Sequence, residues 1–418
     1  MSDTPKKPIA VAVDAYSSGN FFPESFAKLG VDLVHVQSTP ELMPSMLAPQ
    51  FDKFVTNVVH KDLSQTVQSL TEYAPCCVFA GQEPGVPLAD AVSEAMGLPS
   101  NGSKLSIARR NKYEMIETLR KGGVRSAAQI TSADPNEVTA WLRENDVISC
   151  VVKPLQSAST DGVTICKNTS AVPAAIERVL NSEDIFGDRN MIALIQEFLE
   201  GEEYIVDTVS HDGNHFVCGI WRYQKKLLPN GANVYERDIL LSPTDPVVKD
   251  LVAYTKKALD TLGIAFGPAH SEVIITPDGP TLVETGARLN GDMHPKFHDI
   301  CFGHNQADLT ALQYVDPEKF LSHYSNQVYQ MLQPATVFHA VSETFGEVKL
   351  VNTEVVSALK ALPSVYTVQV KMDVGGQLKK TNDLLSSPIR VFLTHPDTSV
   401  IDADCVELER LQHQIFQV

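Results

Sequence analysis

AHSEVIITPDGPTLVETGARLNG, residues 269–291, reads as two extended runs joined by a tight turn. The runs 269–276 and 281–285 flank Pro277-Asp278-Gly279-Pro280. A Pro-Asp-Gly stretch between extended segments is a hairpin signal with a mechanism, because Pro presets φ and Gly tolerates backbone conformations that other residues avoid. Glu272 stands on the first strand and Glu284 on the second, and residues facing one another across an antiparallel pair come within ~5 Å on one face. Two carboxylates that close repel unless a cation lies between them, and an oxygen-rich site of this kind suits Mg2+ together with phosphate oxygens. Strand alternation sets His270 on the face of Glu272, and Gly286 and Arg288 on the face of Glu284. Arg288 is then a fixed cation next to a metal–phosphate centre. The alternative is a pair of solvated glutamates on an exposed hairpin, which the apolar flanks of both strands disfavour.

Upstream, Val151-Val152-Lys153-Pro154 ends an apolar strand on a lysine, and a small polar loop with Ser157, Ser159, Thr160 and Gly162 follows. Such a loop presents N–H groups and hydroxyls to phosphate oxygens while the lysine supplies charge. A solvated lysine before a flexible hairpin is the plain alternative. LIQEFLEGEEY, residues 194–204, runs from an apolar strand through an acidic turn into a second strand. Backbone groups of Glu197, Phe198 and Leu199 suit an adenine edge, and Glu203 suits ribose hydroxyls; an exposed acidic turn remains the other reading.

Farther out, the apolar run 9–13, a helical stretch at 23–29 and a second strand at 31–36 form a βαβ opening and hence a parallel sheet. Gly81-Gln82-Glu83-Pro84-Gly85 follows another strand, where open α/β sheets place ligand-binding loops. Glu83 there suits a substrate ammonium. The pattern predicts an α/β and α+β multidomain chain. Its parts are an N-terminal α/β domain over 1–105, a basic helical linker over 106–139, a small α+β lid over 140–205, a central antiparallel, metal-bearing domain over 206–333, and a β-rich C-terminal module over 334–418. The linker helix, over 104–121, closes at Gly122-Gly123 in the manner of a helix C-cap.

The chain has 418 residues, 43% of them hydrophobic and 20% charged, the profile of a folded multidomain protein. A net charge of −17 argues against a phosphate-backbone binder, so no nucleic-acid partner is expected. Seven scattered cysteines follow no zinc spacing and read as buried free thiols. A polar N-terminal stretch over 1–8 and the lack of a long apolar window predict a cytoplasmic protein without a membrane partner.

Taken in order, the basic helix with Lys112, Lys153 with its small loop, the 196–203 hinge, and Glu272 and Glu284 with Arg288 resemble the ATP-grasp superfamily over roughly residues 1–330. Within it, Arg110-Asn111-Lys112-Tyr113, residues 196–204, His270-Ser271-Glu272 and residues 284–291 are similar to the L-amino-acid α-ligases, or dipeptide synthetases. The resemblance implies an ATP-grasp fold whose enzyme joins two L-amino acids through an acyl phosphate, releasing ADP and phosphate. It implies ATP and one or two Mg2+ ions, with Mn2+ as a possible substitute. Lys112 and Lys153 then bind the phosphates and the loop 157–162 closes over them. Glu197, Phe198 and Leu199 line the adenine, Glu203 the ribose, Glu272 and Glu284 hold the metal, and Arg288 steadies the acyl group. Glu83, His270, His294 and His298 are the expected substrate-pocket residues, with Trp221 and Tyr223 shared between pocket and core. Gly286 stands where many ATP-grasp enzymes carry the Asn of Glu-x-Asn. That departure fits amino-acid ligases and leaves a second Mg2+ with fewer protein ligands. The expected partners are small molecules, namely amino acids and ATP, and a homodimer is the default assembly. A different ATP-grasp ligase or carboxylase, or a non-catalytic ATP-binding sensor, stays open as an alternative.

Overall fold

The computed structural model describes residues 7–155, 162–183, 189–228 and 233–418. Strands β1 (Ile9–Val13), β2 (Asp32–Gln37), β3 (Asn57–Val59) and β4 (Val78–Ala80) form a parallel sheet in the order β3-β2-β1-β4. Every residue of β1 is buried, as a central parallel strand covered on both faces requires. The turn after β4 passes tightly against the turn after β1. A Cβ on Gly81 would lie 2.5 Å from the Ala15 Cα, so only glycine fits there. This approach brings Glu83 to the carboxyl ends of the strands. Helices α1 (Phe22–Ala27), α2 (Leu63–Thr71) and α3 (Val86–Ala95) complete the unit.

Helix α4 (Lys112–Lys121) leads into a second sheet of β5 (Gln129–Ser132), β6 (Cys150–Lys153), β7 (Thr164–Cys166) and β8 (Ala193–Glu197), antiparallel in the order β5-β8-β6-β7. Helices α5 (Pro135–Glu144) and α6 (Val172–Leu180) pack on it around Val138, Leu142, Val152, Ile176 and Ile195. This sheet occupies the stretch expected as the lid, and it also draws β5 and the start of α5 from the stretch read as linker. β5 pairs with β8 more than sixty residues away, and no local pattern reveals that partnership.

The largest sheet has eight strands. β9 (Glu202–His211), β10 (Asn214–Leu227), β11 (Asn233–Leu240), β12 (Gly267–Thr276), β13 (Gly279–Gly286) and β14 (Ala335–His339) are joined by Ile389–Thr394 and Val365–Val370. The order is β13-β12-β9-β10-β11-β14, then Ile389–Thr394 and Val365–Val370. The two longest strands of the β-rich C-terminal module therefore continue the central sheet through β14, while Gly346–Glu347 with Gln377–Leu378 and Leu350–Val351 with Phe416–Gln417 form two small two-stranded sheets. The module keeps a core of its own, including Leu359, Val391, Leu393, Ile401 and Leu408. Helices α7 (Pro246–Thr261), α8 (Pro295–Phe302), α9 (Gln306–Val315) and α10 (Pro317–Tyr324) lie between β11 and β14 in the chain. α9 packs on β9 and β12 and also on α1, and Ala307 and Ala311 share a cluster with Phe22, Phe26 and Phe79. The N-terminal sheet is thereby clamped to the central domain. All seven cysteines are free thiols, with Cys76 alone exposed. Among the described residues, no helix is long and apolar enough to cross a membrane.

Candidate active site

The hairpin forms as its sequence predicts, and its register makes Glu272 and Glu284 direct cross-strand partners, with His270 opposite Gly286. The pair lines a cleft between the lid sheet and the central sheet. Lys112, Lys153, Glu197, Phe198, Leu199, Glu203, His270 and Arg288 line the same cleft. Ten of the residues singled out by sequence are thus brought together from two sheets, their adjoining loops and one helix. Ser157, Ser159 and Thr160 fall outside the described residues. Gly162 adopts φ +67, a left-handed conformation that favours glycine, and does not line the cleft.

Lys112 is the first residue of α4. The Asn111 side chain caps that helix, accepting hydrogen bonds from the Tyr113 and Glu114 N–H groups at 2.9 and 3.1 Å. The cap aims Lys112 at the hairpin, where its Nζ sits 2.7 Å from Glu284 Oε2. Burial alone would raise the Glu284 carboxyl, but Lys112, then Lys153 and Arg288, pull it down to about 2. Lys153, at the end of β6 and 6% exposed, is drawn the other way. Burial and then the neighbouring Lys112 push its ammonium down to about 8, against the pull of Glu284 and Glu272.

Arg288 folds back along β13. A Cβ on residue 286 would meet its Nε at 3.1 Å and Cγ at 3.2 Å, so Gly286 clears the space this guanidinium occupies. That is a packing reason for glycine at this position. Glu83 comes in from the N-terminal unit and stands 3.0 Å from Arg110 Nη1 and 3.6 Å from Arg288 Nε. Its carboxylate faces two guanidiniums, so it orients Arg288 rather than standing open to a substrate ammonium.

His270 is held from behind. Its Nδ1 lies 2.7 Å from Asp207 Oδ1, while Asp207 Oδ2 accepts from Asn290 Nδ2 at 2.8 Å and His270 Nε2 lies 3.7 Å from Glu272. Burial disfavours the imidazolium, yet Asp207 and Glu272 outweigh it and raise His270 to about 9, so the ring is a cation at neutral pH.

At the opposite end, the Glu197 carboxylate accepts from the Ala128 N–H at 2.7 Å, and the Glu197 and Phe198 amides donate to the Ala128 and Ser149 carbonyls. These bonds fix the strand that leads into the acidic turn. Glu203 accepts from Lys225 Nζ at 2.5 Å and from the Tyr235 hydroxyl at 3.4 Å, and Lys225 rests over the Tyr235 ring. Burial nevertheless leaves the Glu203 carboxyl above its ordinary value.

His294 and His298 are placed elsewhere. His294 Nδ1 caps α8 by accepting from the Phe297 N–H, and its ring packs on Tyr366 and Phe392. His298 is buried against Trp221 and Phe302, and desolvation holds it down to about 4. Neither lines the cleft, whereas Tyr223 does. Sequence reasoning missed Asp207, Lys225, Tyr235 and Asp238. They lie inside long strands of the central sheet, where nothing local marks a side chain as facing a cleft.

The arrangement is one of charge complementarity. Two facing carboxylates form an all-oxygen donor set of the kind a hard divalent cation takes. Lys112, Lys153, Arg288 and His270 around them suit a polyphosphate and a carboxylate or acyl oxygen.

Residues 147–296 match the model of the ATP-grasp domain. Over its whole length the chain is 33% identical to a dapdiamide A synthase from Enterobacter agglomerans, covering 100% of this chain and 99% of that protein. It is 26% identical to a D-alanine–D-alanine ligase from Coprothermobacter proteolyticus over 52% of this chain and 73% of the relative. Among solved structures, an L-amino acid ligase from Bacillus licheniformis superposes with a TM-score of 0.74 at 18% identity, covering 97% of this chain and 98% of that one.

Proposed function

Because the chain belongs to the ATP-grasp carboxylate–amine ligases, we propose that it condenses two L-amino acids into a dipeptide through an acyl phosphate, releasing ADP and phosphate. The observation that carries this reading is the cross-strand pair Glu272–Glu284 in a cleft that Lys112, Lys153, Arg288 and His270 surround with positive charge. The full-length relative named a dapdiamide A synthase, and the fold neighbour named an L-amino acid ligase, favour amino acids over other substrates of the family.

In this reading Lys112 and Lys153 meet the phosphate oxygens of ATP, Glu203 the ribose hydroxyls, and Glu197, Phe198 and Leu199 the base. Glu272 and Glu284 would hold Mg2+, which when bound neutralises phosphate charge and orients the γ-phosphate. A substrate carboxylate oxygen attacks the γ-phosphorus as the bond to ADP breaks, and the two lysines offset the charge on the transferring group. Water would destroy the resulting acyl phosphate, so the lid sheet, which carries Lys153, closes over the cleft. Arg288 and the protonated His270 stabilise the oxyanion as the amine attacks the acyl carbon. Phosphate then leaves with the oxygen it took from the carboxylate.

The test is ADP release from MgATP with single amino acids and with pairs, followed by mass spectrometry of the products. The reading predicts ADP release that requires amino acids and a product equal to two amino acids minus water. Release only with another carboxylate or amine would remove the dipeptide claim. Bound ATP with no turnover across a broad panel would favour the sensor.

A further inference from the structure

Beyond the phosphate end, the cleft reaches a second group of charges. Asp238 on β11 and Asp292, in the loop after β13, both line it. Strand register places Asp238 opposite Val337 and His339 opposite Arg390, so Asp238, His339 and Arg390 share one face of the central sheet. Asp238 is 4% exposed. His339 Nε2 lies 2.8 Å from its Oδ2, but no donor among the described residues reaches its Oδ1. Asp292 forms an ion pair with Arg390 Nη2. Burial works against ionisation of Asp292, but Arg390, then His339 and Lys371, hold its carboxyl below the ordinary value.

A buried carboxylate oxygen with no hydrogen bond is destabilising, and a native structure completes it with a water, an ion or a ligand group. We propose that Asp238 Oδ1, with Asp292 beside it, receives the ammonium group of an amino-acid substrate, making this end of the cleft its amine-recognition subsite. The inference rests on the ligase reading above and adds a specificity-determining residue to it.

A divalent cation is the competing occupant, since Asp238, Asp292 and His339 offer ligand atoms within 4.8 Å of one another. Binding it would break the His339–Asp238 hydrogen bond and set the cation against the Arg390 guanidinium. An ammonium leaves both contacts in place. It donates to Asp238 Oδ1 and to the lone pairs of Asp292 that Arg390 does not use. His339 is a positioning residue here, fixing the Asp238 carboxylate from its inner side.

The experiment is initial-rate kinetics of Asp238→Asn with each amino acid varied in turn. Removing a charged hydrogen bond should raise the KM of one amino acid about 10- to 100-fold. The KM for ATP and the Mg2+ requirement should stay within about threefold. Hydroxylamine in place of the acceptor separates the two sources of the ammonium. A shift that persists in hydroxamate formation assigns it to the activated amino acid, and one seen only in amide formation assigns it to the acceptor. If Asp238→Asn does not fold, Asp292→Asn makes the same test. Both amino-acid KM values within threefold of wild type would overturn the subsite, as would a raised Mg2+ requirement in their place. Failure of the ligase reading is distinguishable, because the wild-type protein would then release no ADP with any amino acid.

Discussion

At the scale of single residues, the cleft is governed by how a few buried charges divide the work. Lys112 neutralises Glu284 directly at 2.7 Å, while Lys153 sits among like and unlike charges with its ammonium pushed down to about 8. Glu284→Gln removes one of the two facing carboxylates and should lower kcat/KM for ATP by at least about 100-fold, or ~2.7 kcal/mol. A variant within about threefold of wild type would take Glu284 out of the site. Lys153 also predicts a pH effect. It is cationic below about 8 and neutral above, so kcat/KM for ATP should fall as pH rises through that value. Lys153→Arg keeps its charge and should remove this alkaline limb; a limb unchanged in the variant would assign it to another group. The residues that line the cleft stand out in the sequence because they begin a capped helix, end a strand or alternate along a hairpin. Their partners do not. Asp207 behind His270 and Lys225 beside Glu203 lie within long strands, and only the register of the central sheet sets Lys225 in the cleft and Asp207 behind it.

At the scale of elements, local signals were read well and long-range pairings poorly. The β12–β13 hairpin followed from its Pro-Asp-Gly turn and alternation, down to the facing of Glu272 and Glu284. The capped start of α4 is equally local, and Asn111 serves it by accepting two backbone N–H groups. Asn111→Ala should cost about 1 kcal/mol of stability in denaturant unfolding. It should also raise KM for ATP, because Lys112 loses its anchored helix end. Unchanged values of both would show that packing, not the cap, aims Lys112. The lid boundary was misjudged because β5 has no pattern of its own and exists as a strand only through β8. His294 misled for a similar reason. A histidine before Pro295 is also a helix cap, and the ring's packing on Tyr366 and Phe392 depends on residues more than seventy positions away.

At the scale of the whole molecule, one eight-stranded sheet runs from the hairpin with its paired carboxylates to Ile389–Thr394 and Val365–Val370 in the C-terminal region. Composition alone suggested a separate C-terminal module, since strands that join a sheet out of order look the same in sequence as strands that start a new one. The structure makes 334–418 integral. Removing it would open β11 along the edge that β14 covers, take away the whole cluster around Phe338 and Val391, and delete His339 and Arg390, the partners of Asp238 and Asp292. A chain ending at 333 should therefore be insoluble or unfolded, and a soluble, ATP-binding product of that length would contradict this account. The central claim is that a substrate carboxylate is activated as an acyl phosphate before an amine displaces the phosphate. The most direct measurement supplies the amino acids with 18O-labelled carboxylates and MgATP, and reads the inorganic phosphate by mass spectrometry. The account predicts one labelled oxygen in phosphate for every amide formed, and amide formation with unlabelled phosphate would contradict it.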